Sequence, residues 1–237
     1  MIINQTYSFI FIHIPKSAGT TVTNVLSKLS TWCDLEIGGT PLGEAIQPYY
    51  AKRYGLRKHS RALEIKKVVG EEFWQRCFKF AFVRNPYTRV YSAFNFLKKW
   101  ENIPEAHTKI INKFENFEEF ILSGILQEYK GPDNMFLPQV HWVTAYPQEI
   151  KLIIDFVGKV ENLKEDLKLI LAKLGLLDEA KKLNELPHLN KSVEFDWKVY
   201  DNPSVVDIVY SHYKVDFEMF GYEKDVDKFL NREEENE

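Results

Sequence analysis

Apolar residues fall into two alternating patterns along the chain. Phe9 to Ile14 is a short apolar, β-branched and aromatic run that ends at Pro15, which predicts a buried strand of a parallel sheet, covered on both faces. Beyond the Pro15–Gly19 turn, Val22, Val25, Leu26 and Leu29 recur at helical spacing, with Thr20 or Thr21 placed to cap. The same grammar returns at Phe78, Phe80 and Phe82 (strand) followed by Val90, Phe94 and Leu97 (helix stripe), with Pro86 as the helix start. It returns again in 153–177, where Asn162 is placed to cap a stripe of Leu163, Leu167, Ile170, Leu171 and Leu174, and Gly175 stops it. A last helix is predicted from Pro203, with Val206, Val209, Tyr210 and Tyr213 inward.

Two stretches lack this regularity. Residues 31–57 hold Gly38, Gly39, Pro41, Gly43 and Pro48 and read as an irregular excursion, followed by a short helix from Arg61 to Gly70. Residues 102–148 read as mixed and helical, broken at Gly131-Pro132, with an aromatic density expected to pack over a site. Strands alternating with helices predict an α/β fold, a parallel sheet with helices on both faces.

Composition narrows the class. A chain of 237 residues with 45% hydrophobic and 27% charged content suits one large α/β domain over 1–237, ending in an acidic, solvated, disordered tail at 231–237. A formal charge of −3 speaks against nucleic acid as a partner, because such binding needs a dense cationic face. Cys33 and Cys77 make no disulfide framework, and no Cys/His spacing suggests zinc, so no metal is expected. The first residues show no basic n-region, and the apolar run is too short for a signal peptide or transmembrane segment; a cytoplasmic location is expected.

The chemistry concentrates in the turns. "HIPKSAGTT" sets an ammonium, hydroxyls and successive backbone amides at the positive end of a helix, which is an anion cradle. It is not the G-x-x-x-x-G-K-[ST] loop of nucleotide triphosphatases, since Lys16 precedes the single Gly19. The second unit of the pattern, "FVRNPYTRVYSAF", puts Arg84 at a strand end and Ser92 two turns into the next helix. Ligands of open α/β sheets bind beyond such strand ends, so two loops can flank one crevice. The plainer reading leaves Arg84 and Arg89 as surface charges on an amphipathic helix.

With "HIPKSAGTT", "FKFAFVRNPYTRVYSAF", "FLPQVHW", "LPHLNKS" and "VDFEMFGY" in that order, the chain resembles the sulfotransferase 2 family, which includes carbohydrate sulfotransferases. The likeness runs from about Phe9 to Tyr222. It implies a P-loop-like α/β fold that binds 3′-phosphoadenosine 5′-phosphosulfate (PAPS) as co-substrate, without metal, and moves its sulfuryl group to a hydroxyl of a saccharide or glycolipid. The resemblance assigns the 5′-phosphosulfate to Lys16, Ser17, Ala18, Gly19, Thr20 and Thr21, with Lys16 also on the bridging oxygen. It assigns the 3′-phosphate to Arg84 and Ser92, and a closing loop to Asn190, Lys191 and Ser192.

An attacking hydroxyl must lose a proton, which histidine is suited to accept. Of the six histidines, His59 in "RKHS" matches the place where histidine-using relatives carry their base. His13 reads as a packed, hydrogen-bonded core residue, while His141 and His188 could line the crevice with Trp142 stacking on a base or sugar. A carboxylate, Glu36 or Glu44, is the rival base. The other readings are a nucleotide kinase or NTPase, revealed by magnesium-dependent ATP turnover, and a non-catalytic nucleotide-binding module, revealed by binding without turnover.

Overall fold

The computed structural model describes residues 1–99, 110–129, 135–183, 195 and 197–226. They fall into two compact units, one formed by 1–84 with 139–191 and the other by 85–138 with 192–237.

The first unit is built on a five-stranded sheet. Its strands are β1 (Ile2–Asn4), β2 (Phe9–Ile12), β3 (Leu35–Glu36), β4 (Phe78–Val83) and β7 (Phe156–Lys159), in the order β3-β1-β2-β4-β7. The pairs β2–β4 and β4–β7 are parallel, whereas β1 runs against both neighbours, so the sheet is mixed rather than purely parallel. A tight connection through Ser8 returns β1 onto β2, and such a short link permits only antiparallel pairing. A separate hairpin pairs β5 (Thr144–Ala145) with β6 (Glu149–Leu152).

Helix α1 (Gly19–Leu26) buries Val22, Val25 and Leu26 against Phe9, Phe11, Phe80 and Phe82. Leu167, Ile170 and Leu171 of α9 (Leu163–Lys173) join the same core. Gly158 in β7 is required by packing, because a Cβ there would stand 2.5 Å from the Phe82 ring. Asn162 occupies the α9 cap position, yet its side chain donates to Asp166 at 2.9 Å and makes no cap bond. Gly175, at φ 79°, ends the helical segment as expected.

The excursion at 31–57 is largely ordered helix, contrary to expectation. In α2 (Pro41–Tyr54) the Thr40 hydroxyl accepts from the Gly43 amide at 3.0 Å, Pro41 opens the first turn, and Gly55 at φ 72° closes the last. Gly43 is its one buried residue, so no apolar stripe marks it in the sequence. Two further helices, α3 (Ala62–Val69) and α4 (Glu71–Arg76), lead into β4. Two short ones, α8 (Val140–Val143) and α10 (Leu177–Lys182), complete the unit.

The second unit is helical: α5 (Pro86–Lys99), α6 (Phe117–Leu122), α7 (Ile125–Glu128) and α11 (Pro203–Phe220). Of the aromatics in 102–148, Phe114, Phe117, Phe120 and Phe136 join this unit's core, packed with Phe94, Tyr200 and Tyr213. Arg89 is no surface charge: it is fully buried and donates to the Leu137 and Met135 carbonyls, both at 3.0 Å. Among the described residues no helix is long and apolar enough to cross a membrane. The Gly131-Pro132 break, His107, His188, the Asn190–Ser192 loop with Lys191 and Ser192, and the 231–237 tail lie outside the described residues.

Candidate active site

Because β2 and β4 are adjacent and parallel, with Ile12 opposite Ala81, the chain leaves both strands at the same edge of the sheet. One exit is the Pro15–Gly19 turn and the other is Arg84. That geometry brings two predicted anion-binding segments together within the first unit.

The turn is held in an uncommon conformation. Lys16 (φ 64°) and Ala18 (φ 53°) are both left-handed, which costs an ordinary residue roughly 1–2 kcal/mol apiece. Backbone turned in this way makes concave nests of amides that suit anions. Ala18, not a threonine, is the cap residue of α1, so the cap position itself offers no side-chain hydrogen bond to the first turn. Thr20 is exposed and Thr21 is buried just beyond. Gly19 serves close packing: a Cβ there would lie 1.9 Å from His13 Nε2.

Lys16 feels the positive charge of two other side chains, Arg84 and Lys58, the latter paired with Glu44 at 3.2 Å. The Lys16 ammonium is pulled down to about 8 by burial first, then by the positive charges of Arg84 and Lys58. Cations brought together this way favour an anion among them. Gln139, fully buried, ties the two exits: its Oε1 accepts from the Ser17 hydroxyl at 3.0 Å and the Arg84 amide at 2.9 Å, and its Nε2 donates to the Arg84 carbonyl at 2.8 Å. The Ser17 hydroxyl proton is therefore directed at Gln139, and what Ser17 offers an anion is its backbone amide. Ser92 lies half-buried on α5, in the second unit.

His59 stands at the same place in the first unit. Its Nδ1 is 2.8 Å from the His13 carbonyl oxygen, which can only accept, so Nδ1 carries the proton and the basic lone pair of the neutral ring is on Nε2. The two rings meet edge to face with centroids 4.8 Å apart. The turn holding His59 is itself fixed: the Ser60 hydroxyl accepts from the Arg57 amide, Gln47 Oε1 accepts from the Lys58 amide, and the Trp142 indole donates to the His59 carbonyl at 2.9 Å. Trp142 is thus a buried support, only 2% exposed, and not a stacking platform. His141 stacks on Tyr146 with centroids 3.8 Å apart.

His13 is buried as expected, but its Nδ1 has no hydrogen-bond partner among the described residues. Burial first, then neighbouring positive charges, hold its imidazole far below the usual range, so it stays neutral. The rival carboxylates are committed elsewhere. Glu36 accepts from the Thr40 hydroxyl at 3.0 Å. Glu44 accepts from the Gly39 amide at 2.8 Å and from Lys58 at 3.2 Å; burial works to raise its carboxyl, yet these donors hold it below the ordinary value. Sequence reasoning passed over Gln139 and Lys58, although both sit inside motifs it singled out, "FLPQVHW" and "RKHS".

The chain belongs to the sulfotransferase family, whose sequence signature matches residues 1–223. Among individual proteins, it is 26% identical to carbohydrate sulfotransferase 12 of Xenopus laevis over 94% of this chain and 60% of that protein. It is 24% identical to carbohydrate sulfotransferase 11 of Rattus norvegicus over 94% of this chain and 66% of that one. An uncharacterised protein of Archaeoglobus fulgidus is 30% identical over 48% of this chain and 82% of its own length. The chain thus spans less than two thirds of the length of the carbohydrate sulfotransferases it matches.

Proposed function

We propose that the protein is a PAPS-dependent sulfotransferase that transfers the sulfuryl group to a hydroxyl of a saccharide. The observation that carries this reading is the juxtaposition, at one sheet edge, of a cationic anion cradle with a histidine whose tautomer leaves Nε2 as the base. Family membership and the carbohydrate sulfotransferase relatives support the reaction class and the acceptor class.

The residues fit such a donor on physical grounds. The first turn of α1, whose cap residue Ala18 has no side-chain acceptor, and the left-handed loop offer amides to a phosphate. Lys16 neutralises the charge that grows on the bridging oxygen as the sulfur–oxygen bond breaks, and Arg84 takes a second anionic group, the 3′-phosphate. His59 Nε2 accepts the proton of the acceptor hydroxyl as that oxygen bonds to sulfur, with adenosine 3′,5′-bisphosphate leaving. The His13 carbonyl stabilises the imidazolium so formed, through the Nδ1 hydrogen bond.

The test is transfer of radiolabelled sulfuryl from PAPS to a panel of sugars and glycolipids, with calorimetry of the nucleotide product. Adenosine 3′,5′-bisphosphate should bind roughly tenfold or more tighter than AMP, since a charge-assisted hydrogen bond contributes about 1.5–3 kcal/mol. Equal affinities, with no transfer to any acceptor, would overturn the reading.

A further inference from the structure

Gln139 is buried completely, yet its side chain is polar, and its described side-chain hydrogen bonds reach both strand exits. The Ser17 hydroxyl, on the loop after β2, donates to Oε1 at 3.0 Å across 122 residues of sequence. The Arg84 amide, at the end of β4, donates to the same oxygen at 2.9 Å, and Nε2 returns a hydrogen bond to the Arg84 carbonyl at 2.8 Å, both across 55 residues. This pattern also fixes the orientation of the amide. Reversed, its NH₂ would face the Arg84 N–H, two donors together, and its oxygen would face the Arg84 carbonyl.

A side chain with these contacts sets a distance. Strand pairing ends at Val83, and neither the 15–19 turn nor Arg84 is held to the other by β2–β4 ladder bonds beyond Ile12 and Ala81. Gln139 supplies a cross-link there. Within the sulfotransferase reading, on which this inference rests, one exit holds the 5′-phosphosulfate and the other the 3′-phosphate. We infer that Gln139 is a positioning residue that fixes the spacing of the two anion sites, and so determines selectivity for a nucleotide phosphorylated at both ends. Without the cross-link, a ligand that engages both exits must bear the ordering cost itself, whereas one that engages a single exit loses little.

Two variants test this. Gln139→Leu removes these three hydrogen bonds from the Ser17 hydroxyl and the Arg84 backbone. Gln139→Glu keeps an acceptor but, when ionised, cannot donate to the Arg84 carbonyl; protonated, it has the donor and acceptor pattern of glutamine. The measurement is the ratio of affinities for adenosine 3′,5′-bisphosphate and AMP, each by calorimetry, with melting temperature as the check on folding. In Gln139→Leu the ratio should fall about tenfold while AMP affinity changes little, the loss expected of roughly one charge-assisted hydrogen bond. In Gln139→Glu the ratio should be low near neutral pH and climb back toward the wild-type ratio, measured at the same pH, as the carboxyl takes its proton.

If both affinities fall together, Gln139 supports the fold only, and the inference is overturned. An unchanged ratio in either variant, against a selective wild type, overturns it as well and leaves the sulfotransferase reading standing. A wild type that does not distinguish the two nucleotides overturns both. Should Gln139→Leu not fold, the pH recovery of Gln139→Glu decides the matter by itself.

Discussion

The carbonyl oxygen of His13 accepts a hydrogen bond from Nδ1 of His59 at 2.8 Å, joining the residue just after β2 to the turn ahead of α3. A backbone carbonyl cannot lose this role to mutation of its own side chain, so the tautomer of His59 is set by the main chain just after β2. The proposed role of His59 as base draws on that geometry, and its consequences can be measured.

His59→Ala should lower kcat by about 10²–10⁴, the usual contribution of a positioned base, while the affinity for adenosine 3′,5′-bisphosphate holds. In the wild type, turnover should decline toward acid pH as Nε2 is protonated, and the alanine variant should lack that decline. Near-native turnover in His59→Ala would place the base elsewhere.

Glu44→Gln keeps an oxygen for the Gly39 amide and removes the charge opposite Lys58. A positioning loss of less than about tenfold in kcat is expected, well below the effect of removing a base. If Glu44→Gln or Glu36→Gln abolished turnover while His59→Ala did not, a carboxylate would be the base.

Lys16→Ala should reduce kcat about a hundredfold or more with a smaller change in donor affinity, because charge on the leaving oxygen develops only in the transition state. A rise in donor KM at constant kcat would make Lys16 a ground-state anchor instead.

The Lys16 ammonium also predicts a pH signature. Its affinity for the proton is lowered on folding, from 10.5 to about 8. The unfolded chain therefore holds more protons between those values, and this group makes the ligand-free protein more stable as pH rises from about 8 toward 10.5. Anion binding runs the other way, since it needs the charged form: affinity should fall as pH rises through about 8, with proton uptake on binding. Calorimetry in buffers of different ionisation enthalpy reads that uptake directly, and its absence above pH 8 would remove Lys16 from the anion site.

Gly19→Ala should destabilise the fold by about 1–3 kcal/mol, as overpacking does, because the new Cβ would sit 1.9 Å from His13 Nε2. In a His13→Ala background the same change should cost far less. Additive losses in denaturant unfolding would show that the His13 ring is not what requires glycine there.

Local periodicity, by itself, determined the repeated strand-turn-helix plan, the Lys16 loop between β2 and α1, and Arg84 at the end of β4. Those features live within about a dozen residues, and a buried strand or an amphipathic helix writes its period into its own sequence. Tertiary structure decided the rest. Helix α2 has almost no buried face, so its caps at Thr40 and Gly55 outweigh two internal glycine and proline positions that argued for a loop. Aromatics of the 102–148 segment, Phe114, Phe117, Phe120 and Phe136, pack into a core, because apolar contact carries no address in the chain. The pairing of His59 with His13 across 46 residues, and of Gln139 with Ser17 across 122, depends on which strands lie side by side. Neighbouring strands, not neighbouring residues, bring a donor within about 3 Å of its acceptor, and no periodicity along the chain records that distance.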